Sequence, residues 1–502
     1  MQLLVLIAIL LFCVLLYLWL QDRRLRKLFA SLPSYPQLPF IGNVHQLLGD
    51  GKGLFQLAQN IAHQCDKSDA GRFVIWMGPR PLFVTQNPDD VKIINNTLVA
   101  KPYLYNFAKV WLGEGLVTAA VPIWKQNIKK LSGTFNSSVV DGYMGVFNEQ
   151  AQKLVQKLHL EVGQNPFDIL QKYLAYTTLE TICHTALGVS QISQSIVTTD
   201  YYEAFNRCME LLIIRGLNGL LHPEFIYRRT PFYQEMKKCV AVLHNVSDIV
   251  MKKRLSERKE DKNNGKNIEN DGDQLKFRAF LDILLDLREI DPSLTEQQIK
   301  SEVDTIIVGG QETVASTMFY TLLMVGCKSR IQDKIYAELK SIFGDSTRAV
   351  TKEDLSQMRY LEAVIHETLR MYPPIPGFLR QADKDVQLKS FTIPKGTICT
   401  VNTWGAHRSP RVWGKDALLY RPERWLDDEP PGSAGCFLAF SYGRRACIGK
   451  KYAMAFLKTM LSHCLRELEF VSQAENMQLK IDIALRATSG HLIQVRRRNA
   501  KQ

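Results

Sequence analysis

A single cysteine set between glycines constrains this chain more than any other feature does. The ten residues Phe440-Ser441-Tyr442-Gly443-Arg444-Arg445-Ala446-Cys447-Ile448-Gly449 put a thiol after a glycine turn and just before a helical run. From such a loop a thiolate can reach a metal, because backbone N–H groups at a helix N-terminus favour the ionised sulfur. Phe440 would cover the sulfur, Gly443 would adopt a backbone conformation closed to other residues, and Gly449 would let the helix approach a flat group. Arg445 offers a rigid fork of donors to a carboxylate. The fold therefore has to hold one loop and one helix start together.

A second constraint lies upstream. Thr295-Glu296-Gln297-Gln298 reads as a capping box, with Thr295 as N-cap and Gln298 as its return partner. An apolar run without proline follows to about Cys327, interrupted by Val308-Gly309-Gly310-Gln311-Glu312-Thr313. Each interior glycine costs a helix roughly 1 kcal/mol relative to alanine, so two together need a reason. One reason is close helix packing; the other is a gap beside an acid and a hydroxyl. Further on, Glu367-Thr368-Leu369-Arg370 sets a carboxylate and a guanidinium on one helical face amid Leu361, Ala363, Val364 and Ile365.

The remaining pattern is helical from about 88 to 370, then turns to short strands, including 391–394 and 398–402. A β-hairpin is expected over 72–77 and 81–85, a flexible polar loop over 255–276, and a final hairpin from 479–484 and 491–495. Among 502 residues the ten cysteines show no CxxC pairs, which suits neither a disulfide framework nor a zinc site and fits a reducing compartment. The net charge of +13 comes without an aromatic-interleaved basic stripe, a recognition helix or zinc-finger spacing. A membrane surface or an acidic protein therefore explains it better than nucleic acid.

The amino terminus supports the membrane. Leu3 to Leu20 is unbroken apolar sequence, close to the ~20 residues that span a bilayer, and basic residues 23–27 follow it. The positive-inside rule places everything after residue 21 in the cytoplasm. The domain boundaries expected are a signal-anchor transmembrane helix over 1–21, a basic and proline-rich hinge over 22–43, and a catalytic domain over 44–502.

The cysteine motif resembles the haem-ligand signature of cytochrome P-450 enzymes, Phe-x-x-Gly-x-Arg-x-Cys-x-Gly, at every fixed position. Similar motifs follow family order over roughly residues 30 to 500. The resemblance implies a mainly α fold with small β-sheets, one catalytic domain behind an N-terminal transmembrane helix. It implies a haem-thiolate monooxygenase with Cys447 as the axial iron ligand, which favours O–O cleavage. Gly309 and Gly310 would leave room for dioxygen, with Thr313 offering a hydrogen bond and Glu312 relaying protons. Glu367, Arg370 and Arg424 would form a structural charged trio that fixes the cysteine loop. Trp124 and Arg380 would join Arg445 at the haem propionates. The arginine that the family places four residues after this tryptophan is Ile128 here, and Lys125 or Lys129 is the substitute considered.

Glu302-Val303-Asp304-Thr305, Pro422-Glu423-Arg424-Trp425 and Cys447 to Ala453 look most like the family-four branch, whose members often hydroxylate lipids. Many of them bind haem covalently through a glutamate where this chain has Gly309, so haem b is expected noncovalently. Substrate-facing segments by the same resemblance are 103–117, 208–232, 303–309, 374–379 and 485–489, mostly apolar, which favours a lipophilic small molecule. Electrons are expected from NADPH through a separate cytochrome P-450 reductase, with cytochrome b5 as a further partner, at the endoplasmic reticulum membrane. A basic face with Lys125, Lys129, Arg444, Lys450 and Lys451 would dock the reductase. Two other readings keep the fold: an oxygen-independent isomerase or dehydratase of lipid hydroperoxides, and a non-enzymatic haem sensor. Glu312 and Thr313 argue against the isomerase.

Overall fold

The computed structural model describes residues 22–47, 49–68, 70–189, 199–263, 279–427 and 435–498, and helices dominate them. Those that position the site are α1 (Pro88–Thr97), α2 (Val121–Leu131), α3 (Ala175–Leu187), α4 (Thr199–Leu217), α5 (Pro231–Asn263), α6 (Glu296–Cys327), α7 (Arg359–Met371) and α8 (Lys450–Glu467). Local chemistry sets their ends. Asn87 caps α1 by accepting from the N–H groups of Asp89 and Asp90, with Pro88 in the first turn. Gly188 ends α3 at φ 72°. Thr295 caps α6 as its spacing predicts, but the return half of the capping box is absent. The Gln298 amide instead donates to Glu114 O and Glu302 Oε1, both at 3.0 Å.

Helix α6 is buried along most of its length and crosses the largest apolar core, packed by α3, α5, α7 and α8. The strands are β1 (Arg72–Met77), β2 (Arg80–Thr85), β3 (Phe378–Gln381), β4 (Val386–Gln387), β5 (Thr392–Ile393), β6 (Ile398–Val401), β7 (Leu468–Ser472), β8 (Gln478–Asp482), β9 (Ala484–Ser489) and β10 (Ile493–Arg497). They form one four-stranded sheet in the order β1-β2-β6-β3 and three two-stranded sheets. The β1–β2 hairpin turns at Gly78-Pro79, with Gly78 at φ 61°. The proline-rich segment is pinned to this sheet, since Val74 N–H donates to Pro33 O and Trp76 N–H to the Asn43 side chain.

Two expectations need correction. Residues 479–484 and 491–495 do not pair with each other. Ile483, at φ 62°, turns the chain so that β8 folds onto β9, and β10 pairs with β7 at the exit of α8. The polar stretch from 255 is not a loop at its start, because α5 continues to Asn263. Two arginines hold this part of the helix to the next one: Arg254 reaches Asp282 at 2.6 Å, and Arg258 contacts Asp282 and Asp286. Residues 264–276 and the apolar run at 3–20 lie outside the described residues. Among the described residues no helix is long and apolar enough to cross a membrane.

Candidate active site

The cysteine loop is closed by its own backbone. Cys447 N–H donates to Phe440 O at 2.8 Å, and Ala446 N–H to Gly443 O at 3.0 Å. Gly443 sits at φ 73°, and a Cβ there would lie 2.7 Å from Asn95 O on α1, so the loop needs glycine both for conformation and for close approach. Gly449 opens α8 directly after the cysteine. Burial pushes the Cys447 thiol up, while the Gly449 N–H and the Lys450 ammonium pull it back. The residue is nevertheless solvent-accessible. The residue is therefore packed among protein groups yet keeps exposed surface.

The loop is held from behind by a buried charge network. Glu367 and Arg370 on α7 form two parallel hydrogen bonds at 2.8 Å, and Arg424 Nε adds a third to Glu367 at 3.1 Å. Trp425 Nε1 and the Arg421 N–H also donate to Glu367. His407, which the sequence reading missed, carries this network to the loop. Its Nδ1 donates to Arg370 O at 3.1 Å and its Nε2 accepts from Leu438 N–H at 2.7 Å, two residues before Phe440. Burial drives its pKa down to about 3, so the neutral ring keeps one donor and one acceptor.

Beside the loop three cations converge. Arg445 Nε donates to Val99 O and Nη1 to Leu116 O, both at 3.1 Å, and its guanidinium lies 3.9 Å from the Trp124 ring centroid. Arg380 is buried, and its Nη1 bonds only its neighbour's carbonyl, Leu379 O. Lys101 donates to Val117 O at 2.7 Å. Burial lowers the pKa of all three, that of Arg445 to about 9, and the two arginines add to the fall at Lys101. Arg380 Nε and Arg445 Nη2 are buried without a hydrogen-bond partner. A dianionic edge fits this cradle, and together with the exposed Cys447 it fits haem. Lys125 and Lys129 lie exposed on α2.

Helix α6 supplies the facing chemistry, and its two glycines divide the roles proposed for them. A Cβ on Gly310 would meet Ile182 Cδ1 on α3 at 2.6 Å, which is close helix packing. A Cβ on Gly309 would meet nothing within 4 Å, and Gly309 is exposed midway along a mostly buried helix. Thr313 Oγ1 donates to Gly309 O at 2.7 Å. Glu312 is not free: Arg486 on β9 sits 3.0 Å away. The expected substrate-facing segments are tied in pairs around this helix. Tyr103 Oη meets His222 Nδ1 at 2.9 Å, Leu485 N–H donates to Pro374 O, and Tyr320 Oη donates to Leu485 O.

Glu302, nearly two turns into α6, accepts from Leu116 N–H, Asn127 and Gln298. Burial raises its carboxyl to about 7 against those three donors. The folded carboxyl keeps its proton to about pH 7 and the unfolded one to about 4.5. The stability it contributes is thus fully present below the lower value and lost as pH rises through the upper one. Relative to Glu302→Gln, the wild-type protein should gain up to about 3 kcal/mol between pH 8 and 4.5. Urea midpoints that run parallel in the two proteins across that range would contradict this.

Comparison with known proteins agrees with the site. The sequence model of the family described as Cytochrome P450 matches residues 32–495. The chain is 33% identical to Cytochrome P450 4c21 of Blattella germanica, over 91% of this chain and 91% of that protein. It is 31% identical to Cytochrome P450 4V2 of Homo sapiens, over 92% and 89%, and 30% identical to Cytochrome P450 4c3 of Drosophila melanogaster, over 94% and 90%.

Proposed function

The chain belongs to the cytochrome P450 family, on its family-four branch, whose members are monooxygenases, and on that premise we propose that it hydroxylates a lipophilic small molecule at a haem held by Cys447. The observation that carries this reading is the exposed residue Cys447 in a loop fixed by the buried Glu367 network. When bound, the haem would supply dioxygen activation, aided by the electron density of the Cys447 thiolate. Overall, one oxygen atom enters the substrate, the other leaves as water, and NADPH gives two electrons. Arg445, Arg380 and Trp124 would orient the cofactor, with Phe440, Gly443 and Gly449 shaping the loop around the sulfur. With no carboxylate at Gly309, the haem is held noncovalently.

Proton delivery falls to Glu312 and Thr313. Glu312 has to leave Arg486 to pass a proton, and the Thr313 hydroxyl has to turn from Gly309 O to offer its hydrogen bond elsewhere. The apolar segments 103–117 and 485–489 favour a lipid or similar substrate. A reductase carrying NADPH electrons, with cytochrome b5 as an accessory, would dock on the exposed Lys125, Lys129, Arg444, Lys450 and Lys451. Residues 1–21 would anchor the chain in the endoplasmic reticulum membrane, with 22–43 as hinge and 44–502 as a cytoplasmic catalytic domain.

The test is turnover in reductase-supplemented membranes, scanning fatty acids and other lipids under labelled dioxygen. Product carrying one labelled oxygen and dependent on NADPH supports the reading. Consumption of a lipid hydroperoxide without NADPH would move the assignment to the isomerase.

A further inference from the structure

We propose that protons reach Glu312 from the solvent-facing pair His491 and Asp168, along a polar seam beside α6. This deepens the monooxygenase reading above and rests on it. Glu312, Ser316 and Phe319 share one face of α6, since they follow one another at helical spacing. Strand β9 and the turn after it run along that face. Arg486 Nη2 stands 3.0 Å from Glu312 Oε1, and the His491 ring meets Phe319 edge-on, with centroids 6.1 Å apart. Two turns of helix, roughly 10 Å, separate these two contacts. Ser316 stands between them on α6, and its Oγ donates to Glu312 at 3.3 Å.

The two ends differ in their access to water. Glu312 and Arg486 expose 6% and 11% of their side chains, whereas His491 and Asp168 expose 19% and 28%. His491 Nε2 lies 3.4 Å from Asp168 Oδ2, while Asp168 Oδ1 accepts from the N–H groups of Leu170 and Gln171. The hydrogen bond to Asp168 raises the His491 pKa against burial, which keeps the imidazole a group that titrates near neutral pH. Tyr202 on α4 senses both ends: burial pushes its phenol up, and the charges of Arg486, Glu312 and Asp168 all act on it. Asp482 and Tyr320 also act on Arg486. Along the seam His491 Nδ1 and Arg486 Nε and Nη2 are buried without a hydrogen-bond partner among the described residues, the Glu312 contact being an ion pair without that alignment. Buried polar atoms of this kind hold ordered water, and such water can carry a proton from the imidazolium to Glu312. The step moves protons alone. The imidazolium loses one N–H proton, Glu312 gains it, and solvent restores the imidazolium.

The experiment compares His491→Gln and Asp168→Asn with the wild-type protein in reductase-supported turnover, across pH and in heavy water. The substrate is dodecanoic acid, or the best-oxidised lipid of the scan above. His491→Gln should slow product formation about tenfold, less than loss of Glu312 itself because water still enters the seam. Its solvent isotope effect and its peroxide released per NADPH should both rise. Asp168→Asn keeps the Oδ1 cap but removes the charge, so the imidazole pKa falls. The alkaline decline of its turnover should then begin at lower pH than in the wild-type protein, and NMR titration of the His491 imidazole should move the same way. Turnover driven by hydrogen peroxide brings its own protons and should survive in both variants. A wild-type pH profile and isotope effect in both variants overturn the inference, as does a loss of peroxide-driven turnover equal to the loss with NADPH. A wild-type protein that oxidises none of the scanned lipids with NADPH would instead overturn the underlying assignment.

Discussion

Replacing Glu367 with Gln, or Arg370 with Ala, should abolish holoprotein while the polypeptide is still made. Both side chains are fully buried, and Glu367 receives five donors: two from Arg370 and one each from Arg424, Trp425 and the Arg421 backbone. Arg370 also donates to the carbonyls of His407, Ala417 and Leu419. Removing one partner leaves the other charge uncompensated in the interior, at a cost of about 3–5 kcal/mol. That is a large share of the roughly 5–15 kcal/mol that keeps a domain folded. The strain would fall on the path through His407 to Leu438, so the cysteine loop should loosen first. Haem per polypeptide in purified protein reads the effect directly. Normal haem content in either variant would show that the loop does not depend on this network.

Glu312→Gln should lower turnover by roughly a hundredfold, the usual worth of a positioned proton donor. The substitution has a structural side, because it strips Arg486 of its buried counter-charge. The pair Glu312→Gln/Arg486→Gln removes both charges and separates the two effects. If Glu312 only balances Arg486, the double variant recovers turnover. If Glu312 delivers protons, the double variant folds well and remains slow, with more peroxide released per NADPH consumed. Thr313→Ala should raise that peroxide share with little effect on stability, since its hydroxyl bonds only a carbonyl of its own helix.

The features legible in the sequence were those written in local spacing. The cysteine loop, the Thr295 cap and the paired Glu367 and Arg370 each depend on residues within a few positions, and the structure brings the last pair to Arg424. Contacts between distant segments left no such trace. His407, Lys101 and Arg486 sit in unremarkable surroundings in the chain and gain meaning only where the fold sets them against Leu438, Arg445 and Glu312. The two glycines of α6 show the same limit. Spacing called for small residues, but only the neighbouring helix reveals that Gly310 packs on Ile182 while Gly309 faces open space. Strand pairing near the carboxyl terminus failed for a related reason, because the turn at Ile483 uses a backbone conformation that its residue type does not announce.

The most direct test of the central claim is the carbon-monoxide difference spectrum of the reduced, membrane-expressed protein, compared with Cys447→Ser. The account predicts a strongly red-shifted Soret band in the wild-type protein that disappears in the variant. A blue-shifted wild-type band, or the absence of haem from the wild-type protein, would contradict thiolate ligation by Cys447.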